Sequence, residues 1–215
     1  MKDIPKQVAD FFTSYPLKSI DDGQIIVQAG NQPAGVYFIE SGEVRQYDIS
    51  ERGDEVVVNV FRAGAYFPMS WAINKEPNQY FFEASTSSNV RIAPPGEVTS
   101  FLHKNPEILY DLLRRVFVGT EVLQRRMAHL MAGDANSRTL FELIVQCRRF
   151  GQLQPDGSYI LPIHEQELAR RAGLSRETTN RILTKLKKAG LLGVTHKALS
   201  VRNLAEIERE LGTKL

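Results

Sequence analysis

The sequence predicts an α+β chain: a roll of short strands at the N-terminus, one long central helix and a C-terminal winged helix-turn-helix. Three observations predict it. Between Gly23 and Pro95, short β-prone runs alternate with Gly, Pro and Asn, and many short strands joined by such turns make a sandwich, barrel or jelly roll. From Pro106 to Ala132, Leu109, Leu113, Val116, Thr120, Leu123, Met127 and Leu130 recur at alternating spacings of four and three, the seam of a coiled coil. From Ile163 to Leu183, two short amphipathic segments flank Gly173, where a tight turn between helices is needed.

Taken in order, residues 1–20 read as a helical entry with apolar Val8, Phe11 and Phe12. Strands are predicted at Gln24–Gln28, Val36–Ile39, Val44–Ile49, Glu55–Phe61, Tyr80–Ala84 and Val90–Ala93. Pro106 suits the start of the central helix and Gly133 its end. Besides the seam, Ile108, Leu112, Phe117, Val118 and Val122 form a second apolar stripe that can pack on the helix's own roll. One buried helix needs only one stripe, so two stripes predict a homodimer. Asp134 reads as a hinge and helix cap, and Thr139–Phe150 as a supporting helix. Gln154-Pro-Asp-Gly-Ser158 is a turn into Tyr159–Leu161, and Asn203 with Glu206 forms a capping box for a last helix. The expected domains are 1–105, 106–133 and 134–215.

The helix after Gly173 carries the chemistry. Ser175 is a good N-cap, and Ile182, Leu183 and Leu186 supply the buried side. Arg176, Glu177, Asn180 and Arg181 project away, followed by Lys185, Lys187 and Lys188. Arginine grips guanine O6 and N7 with two hydrogen bonds, and glutamate accepts from the cytosine amino group. The hairpin Leu191–Val201, turning at Thr195-His196-Lys197, reads as a wing with a cation near phosphates. The candidate DNA-contacting set is Arg176, Glu177, Asn180, Arg181, Ser175, Thr179, His164, Gln166, Lys185 and Lys197.

These residues carry a resemblance. Leu174-Ser175-Arg176-Glu177-Thr178 with Arg181-Ile182-Leu183 closely resembles the recognition helix of the cyclic-AMP receptor protein and its relatives, the Crp/Fnr family of bacterial transcription regulators. Gly23-x-x-Ile26-x-x-x-Gly30, followed by Val36-Tyr37-x-Ile39-x-x-Gly42-x-Val44, resembles that family's cyclic-nucleotide-binding β-roll. The resemblance implies a homodimer on a palindrome of TGTGA-like half-sites, with Arg176 and Arg181 on guanines and Glu177 on a cytosine. Asn180 stands where the cyclic-AMP receptor carries a smaller residue. The resemblance also implies contact with RNA polymerase through a surface loop, for which Gln152–Ser158 is the candidate.

The chain departs from the family pattern at the ligand. Nucleotide-binding members hold the ribose with a Gly-Glu pair and the cyclic phosphate with an Arg. Here Met69 stands near the Glu position, and Asn78–Phe82 contains no Arg. Arg62 and Arg91 lie outside the matching positions and read as solvated. A cyclic phosphate without a cation is costly to desolvate, so cyclic AMP is not the expected effector. Tyr66, Phe67, Met69, Ser70, Tyr80 and Phe82, with Leu123 and Gln124 on the central helix, form a candidate pocket for an unknown small molecule. The aromatic residues among them read equally well as ordinary core. A family member that needs no effector fits the same departure.

Composition bounds the rest. Residues 134–215 carry 14 Lys+Arg against 9 Asp+Glu, and residues 1–133 carry 13 against 16, so a basic C-terminal part follows an acidic one. Cys147 is the only cysteine, which excludes an intramolecular disulfide and a cysteine-held iron–sulfur cluster. All four histidines, His103, His129, His164 and His196, lie outside the roll, which argues against a metal-dependent β-roll enzyme. Haem ligation is left only to His103, His129 or Met69, each better read as an ordinary side chain. No metal or cofactor is expected, no membrane-spanning run appears, and the expected location is cytoplasmic.

Overall fold

The computed structural model describes residues 3–212 except 52, 54, 196 and 197. The chain divides into two compact units, Met1–Arg115 and Val116–Leu215. In the first, α1 (Ile4–Thr13) is capped by Asp3, whose carboxylate accepts from the Lys6 amide at 3.2 Å. Then come β1 (Leu17–Ile20), β2 (Ile25–Val27), β3 (Val36–Ser41), β4 (Glu43–Ile49), β5 (Glu55–Arg62), β6 (Tyr66–Phe67), α2 (Met69–Asn74), β7 (Phe81–Ala84), β8 (Ser88–Ala93), α3 (Pro95–Lys104) and the first turns of α4 (Pro106–Ala132). The strands form two antiparallel four-stranded sheets, ordered β1-β8-β3-β6 and β2-β7-β4-β5.

Strand β3 explains the core. Val36, Tyr37, Phe38 and Ile39 are all buried, because successive side chains point to opposite faces and both faces are covered. Val36 and Phe38 join Val8, Phe12, Val98, Leu102 and Ile108 from the helices, with the Phe12 and Phe38 rings stacked at 4.9 Å. Tyr37 and Ile39 face the roll interior with Val44, Phe67 and Phe82. The turn into β4 needs Gly42: its φ is +94°, and a Cβ there would sit 2.1 Å from Ser88 Oγ.

The helical entry is shorter than predicted. It ends at Thr13, and Leu17–Ile20 is a strand paired with β8; Pro16 disfavours helix at the residue before it and removes an amide. Helices α2 and α3 and strand β6 were not predicted. Arg91 and Arg62 are not simply solvated. Arg91 pairs with Glu40 and donates to the carbonyls of Thr13 and Tyr15 at 3.2 and 2.7 Å, fastening the exit from α1. Arg62 pairs with Glu43 at 2.8 Å.

In the second unit the rest of α4 is followed by α5 (Ala135–Phe150), β9 (Gln152–Leu153), β10 (Tyr159–Leu161), α6 (Glu165–Ala172), α7 (Arg176–Lys188), β11 (Leu192–Thr195), β12 (Ala198–Val201) and α8 (Leu204–Leu211). Asp134 caps helix α5 as predicted, its carboxylate accepting from the Ser137 amide at 2.7 Å, so the helix also takes in the four residues before Thr139. Asn203 caps α8, accepting from the Glu206 amide at 3.1 Å and donating to its carboxylate at 3.1 Å. Leu140, Leu143, Ile144, Leu168, Leu183, Leu186, Leu199 and Ile207 form one core beneath the sheet β11-β12-β10-β9. Cys147 lies within it, and burial pushes its thiol up to about 12.

Helix α4 has 27 residues, about 40 Å of α-helix. Its seam residues Leu109, Leu113, Val116, Leu123, Met127 and Leu130 are exposed. Of the second stripe, Ile108 is buried and Leu112 and Val122 are half-buried, whereas Phe117 and Val118 are 60% and 53% exposed. Among the described residues no helix is long and apolar enough to cross a membrane.

Candidate nucleic-acid interface

The reading helix is held from three sides. At its start, Ser175 Oγ accepts from the Thr178 amide at 3.1 Å. Along its inner face Thr179, Ile182, Leu183 and Leu186 are buried. Before it, Gly173 closes α6 in the left-handed region at φ +62°, with its amide returning to the carbonyls of Ala169 and Arg170. That turn has a second fastening not evident from sequence. Arg138, on α5, donates to the carbonyl of Ala172 at 3.0 Å and to that of Gly173 at 2.7 Å. Its guanidinium thus satisfies two carbonyls at the end of α6 that have no helical partner. A Cβ at Gly173 would lie 2.6 Å from Arg138 Nη2, so a side chain here would have to displace the guanidinium, and the positive φ is what calls for glycine.

The opposite face of α7 is open. Arg176, Glu177, Asn180, Arg181 and Lys185 are all exposed, as are Ser175, His164 and Gln166. Ile163, His164, Glu165, Gln166 and Arg176 line one side of a cleft of about 380 Å³, with Val194, Ala198 and Leu199 of the hairpin on the other. The predicted residues His164, Gln166 and Arg176 therefore share one concavity. Lys187 is partly engaged elsewhere, paired with Glu165 at 2.7 Å. Lys197 and His196 lie outside the described residues.

Thr179 is a correction. It is fully buried, not presented to DNA, because it precedes Ile182, Leu183 and Leu186 by three, four and seven residues and so shares their face. Among the described residues its hydroxyl has no hydrogen-bond partner, which leaves the desolvation of that group uncompensated. Thr179→Val keeps the shape and the β-branch, and is expected to raise stability by about 1–2 kcal/mol while leaving DNA affinity unchanged. Urea unfolding and a binding titration of the variant check both. Weaker DNA binding would return the residue to the contact set.

Residues 17–105 match the cyclic nucleotide-binding domain and residues 137–210 the Crp-like helix-turn-helix domain. The chain belongs to the Crp/Fnr family of transcription regulators. The global nitrogen regulator of Synechocystis sp. is 26% identical over 200 residues, 90% of this chain and 88% of that one. The fumarate and nitrate reduction regulatory protein of Escherichia coli is 27% identical over 188 residues, 86% of this chain and 74% of that one. Among solved structures, a CooA variant from Carboxydothermus hydrogenoformans has the same fold at TM-score 0.75 and 17% identity, covering 94% of this chain and 90% of that one. CprK complexed with OCPA has it at 0.72 and 15%, covering 95% and 93%. The two curated relatives are regulatory proteins by name.

Within the first unit, the residues of the candidate effector pocket divide between two clusters, Phe67, Phe82 and Tyr80 in the roll interior and Tyr66 and Met69 against the helices. Phe67 and Phe82, 1% and 2% exposed, stack on each other at 4.9 Å. With Tyr37 and Phe61 they fill the roll interior, so they are core. Met69 packs against the helical cluster. Ser70 and Tyr80 share a cleft of about 160 Å³ beside α2 with Glu76 and Asn78. Asn78 is itself a structural residue, buried and donating to the carbonyls of Gln28 and Tyr80 at 3.2 and 2.6 Å. Tyr66 lines a different cleft. Leu123 and Gln124 are exposed on α4. Among the described residues, no group of His, Cys, Asp and Glu is placed to hold a metal.

Proposed function

We propose that the protein is a homodimeric regulator that reads a palindromic DNA site with α7. In this reading residues 1–105 are the sensor, 106–133 the pairing helix and 134–215 the reader. The observation that carries it is the exposed row Arg176, Glu177, Asn180 and Arg181 on a helix whose other face is buried and whose start is capped. Arg176 and Arg181 suit guanine, Glu177 suits cytosine, and half-sites like TGTGA follow, with centres about 34 Å apart on a two-fold dimer. Selection from random DNA with the purified protein is expected to recover this palindrome. Arg181→Ala is expected to cost about 1–3 kcal/mol and relax preference at one base pair. A selected motif without paired TG/CA steps, or no palindrome, would overturn the assignment. The turn Gln152–Ser158, held by the Gln154 amide on the Ser158 carbonyl at 2.8 Å, is the surface proposed to meet RNA polymerase.

The roll is proposed not to use cyclic AMP. The cleft of Ser70 and Tyr80 is lined by a carboxylate, Glu76, and by no Lys or Arg, so a cyclic phosphate there would meet charge of its own sign. Calorimetry with cyclic AMP or cyclic GMP is expected to give no binding at micromolar concentrations; micromolar affinity for either would refute this. The filled interior also favours a second reading, a regulator set by its own abundance. Operator affinity of protein refolded from denaturant, equal to that of native protein, supports this second reading.

A further inference from the structure

A second cleft of the first unit, about 270 Å³, opens between α1, the β5–β6 turn and the start of α4. None of its lining residues belongs to the ring-filled interior of the roll. We propose that it binds a small monocarboxylate, with the carboxylate on Arg115 and the Tyr66 hydroxyl and the apolar body against Val8 and Ile108. This inference stands independently of the DNA reading.

Charge is the first support. The single carboxylate of Asp111 accepts from Arg114 at 3.0 Å and from Arg115 at 2.6 Å, so one anion answers two guanidiniums. A second carboxylate would balance the set and can be gripped by the planar fork of an arginine. Tyr66 is the second. It lines the cleft half-buried, and its hydroxyl makes no hydrogen bond among the described residues, which leaves a donor facing the space. Burial raises its phenol above the ordinary value, with Arg115 and Asp111 close enough to pull it in opposite directions, so it stays protonated and donating at neutral pH.

The walls define the rest of the ligand. Val8 and Ile108 are buried core residues and give a firm apolar floor. The rim is Ala63-Gly64-Ala65, and a Cβ built on Gly64 meets nothing within 4 Å, so the rim there borders open space. The volume lies just below the roughly 300–1,000 Å³ of drug-sized sites, which suits a short branched acid. A phosphate dianion would bring one charge more than the unanswered guanidinium and would gain nothing from the floor.

The test is thermal melting of the full-length protein with isovalerate, against isoamyl alcohol as the uncharged isostere. For a Kd of about 1 mM, roughly 10 mM isovalerate is expected to raise Tm by about 4 °C, and the alcohol to leave it unchanged. Arg115→Gln and Tyr66→Phe should each abolish the shift, and Arg114→Gln should reduce it, because Asp111 then answers Arg115 alone. Arg115 is half exposed, so its variant folds, and the melting curve without ligand verifies that. No shift of the unaltered protein with isovalerate, acetate or benzoate would overturn the proposal. So would a shift that survives in both Arg115→Gln and Tyr66→Phe.

Discussion

Leu123→Asp is expected to convert the protein to monomers at micromolar concentration and to abolish operator binding with it. Leu123 is 51% exposed in the single chain and lies mid-way along an apolar seam from Leu109 to Leu130. In an isolated helix the substitution would be nearly silent, because a carboxylate on an exposed position stays in water. Across a two-fold interface it faces its own symmetry mate in apolar surroundings. Desolvating two like charges costs several kcal/mol, comparable with a small interface. DNA binding falls further, since each half-site then has to be bound alone. Size-exclusion chromatography and an operator titration measure the two effects. A variant that stays dimeric would mean that the seam is not the interface.

The second large effect is in the reader itself. Glu142 is only 2% exposed in its side chain, and both of its oxygens are held by Arg126, from α4, with Nη2 to Oε2 at 3.1 Å. Beside it the His129 and Phe141 rings meet at 4.5 Å. Arg126→Ala leaves a buried carboxylate without its cation, and is expected to cost about 3–5 kcal/mol. The double change Arg126→Met with Glu142→Leu removes both charges at similar volume and is expected to recover most of that loss, since apolar replacements of buried pairs are often neutral. Urea midpoints of the three proteins decide it. A loss under about 1 kcal/mol in Arg126→Ala would show that water reaches Glu142.

Much of this was legible along the chain because its causes are local. Ser175, Asp134 and Asn203 accept from amides three residues on, so a short polar residue before an apolar run is enough to read a helix start. The strands of the roll show themselves by alternation and by glycine at the turns, and the run Val36–Ile39 by being apolar throughout. The repeat on α4 runs over seven positions, long enough for the helix itself to be read from it. Helix α2 spans only six residues and ends on Lys75 at φ +60°, too short for any period to declare itself. Thr179 is the instructive case: its spacing from Leu183 and Leu186 sets it inward, while its hydroxyl argues for the surface, and packing overrides polarity there.

The sequence by itself determined the order of roll, long helix and winged helix-turn-helix, and which face of α7 presents Arg176, Glu177, Asn180 and Arg181. Only the tertiary structure decided which partner each charge takes. Arg91 reaches Glu40 across 51 residues, Arg138 the Gly173 carbonyl across 35, and Arg126 meets Glu142 across 16. It also decided that the Phe67 and Phe82 rings stack on each other inside the roll. The reason is physical. Period and capping are set by neighbours within a turn or two, whereas pairing and ring stacking depend on which distant segments the fold brings within a few ångströms, and no spacing along the chain records that.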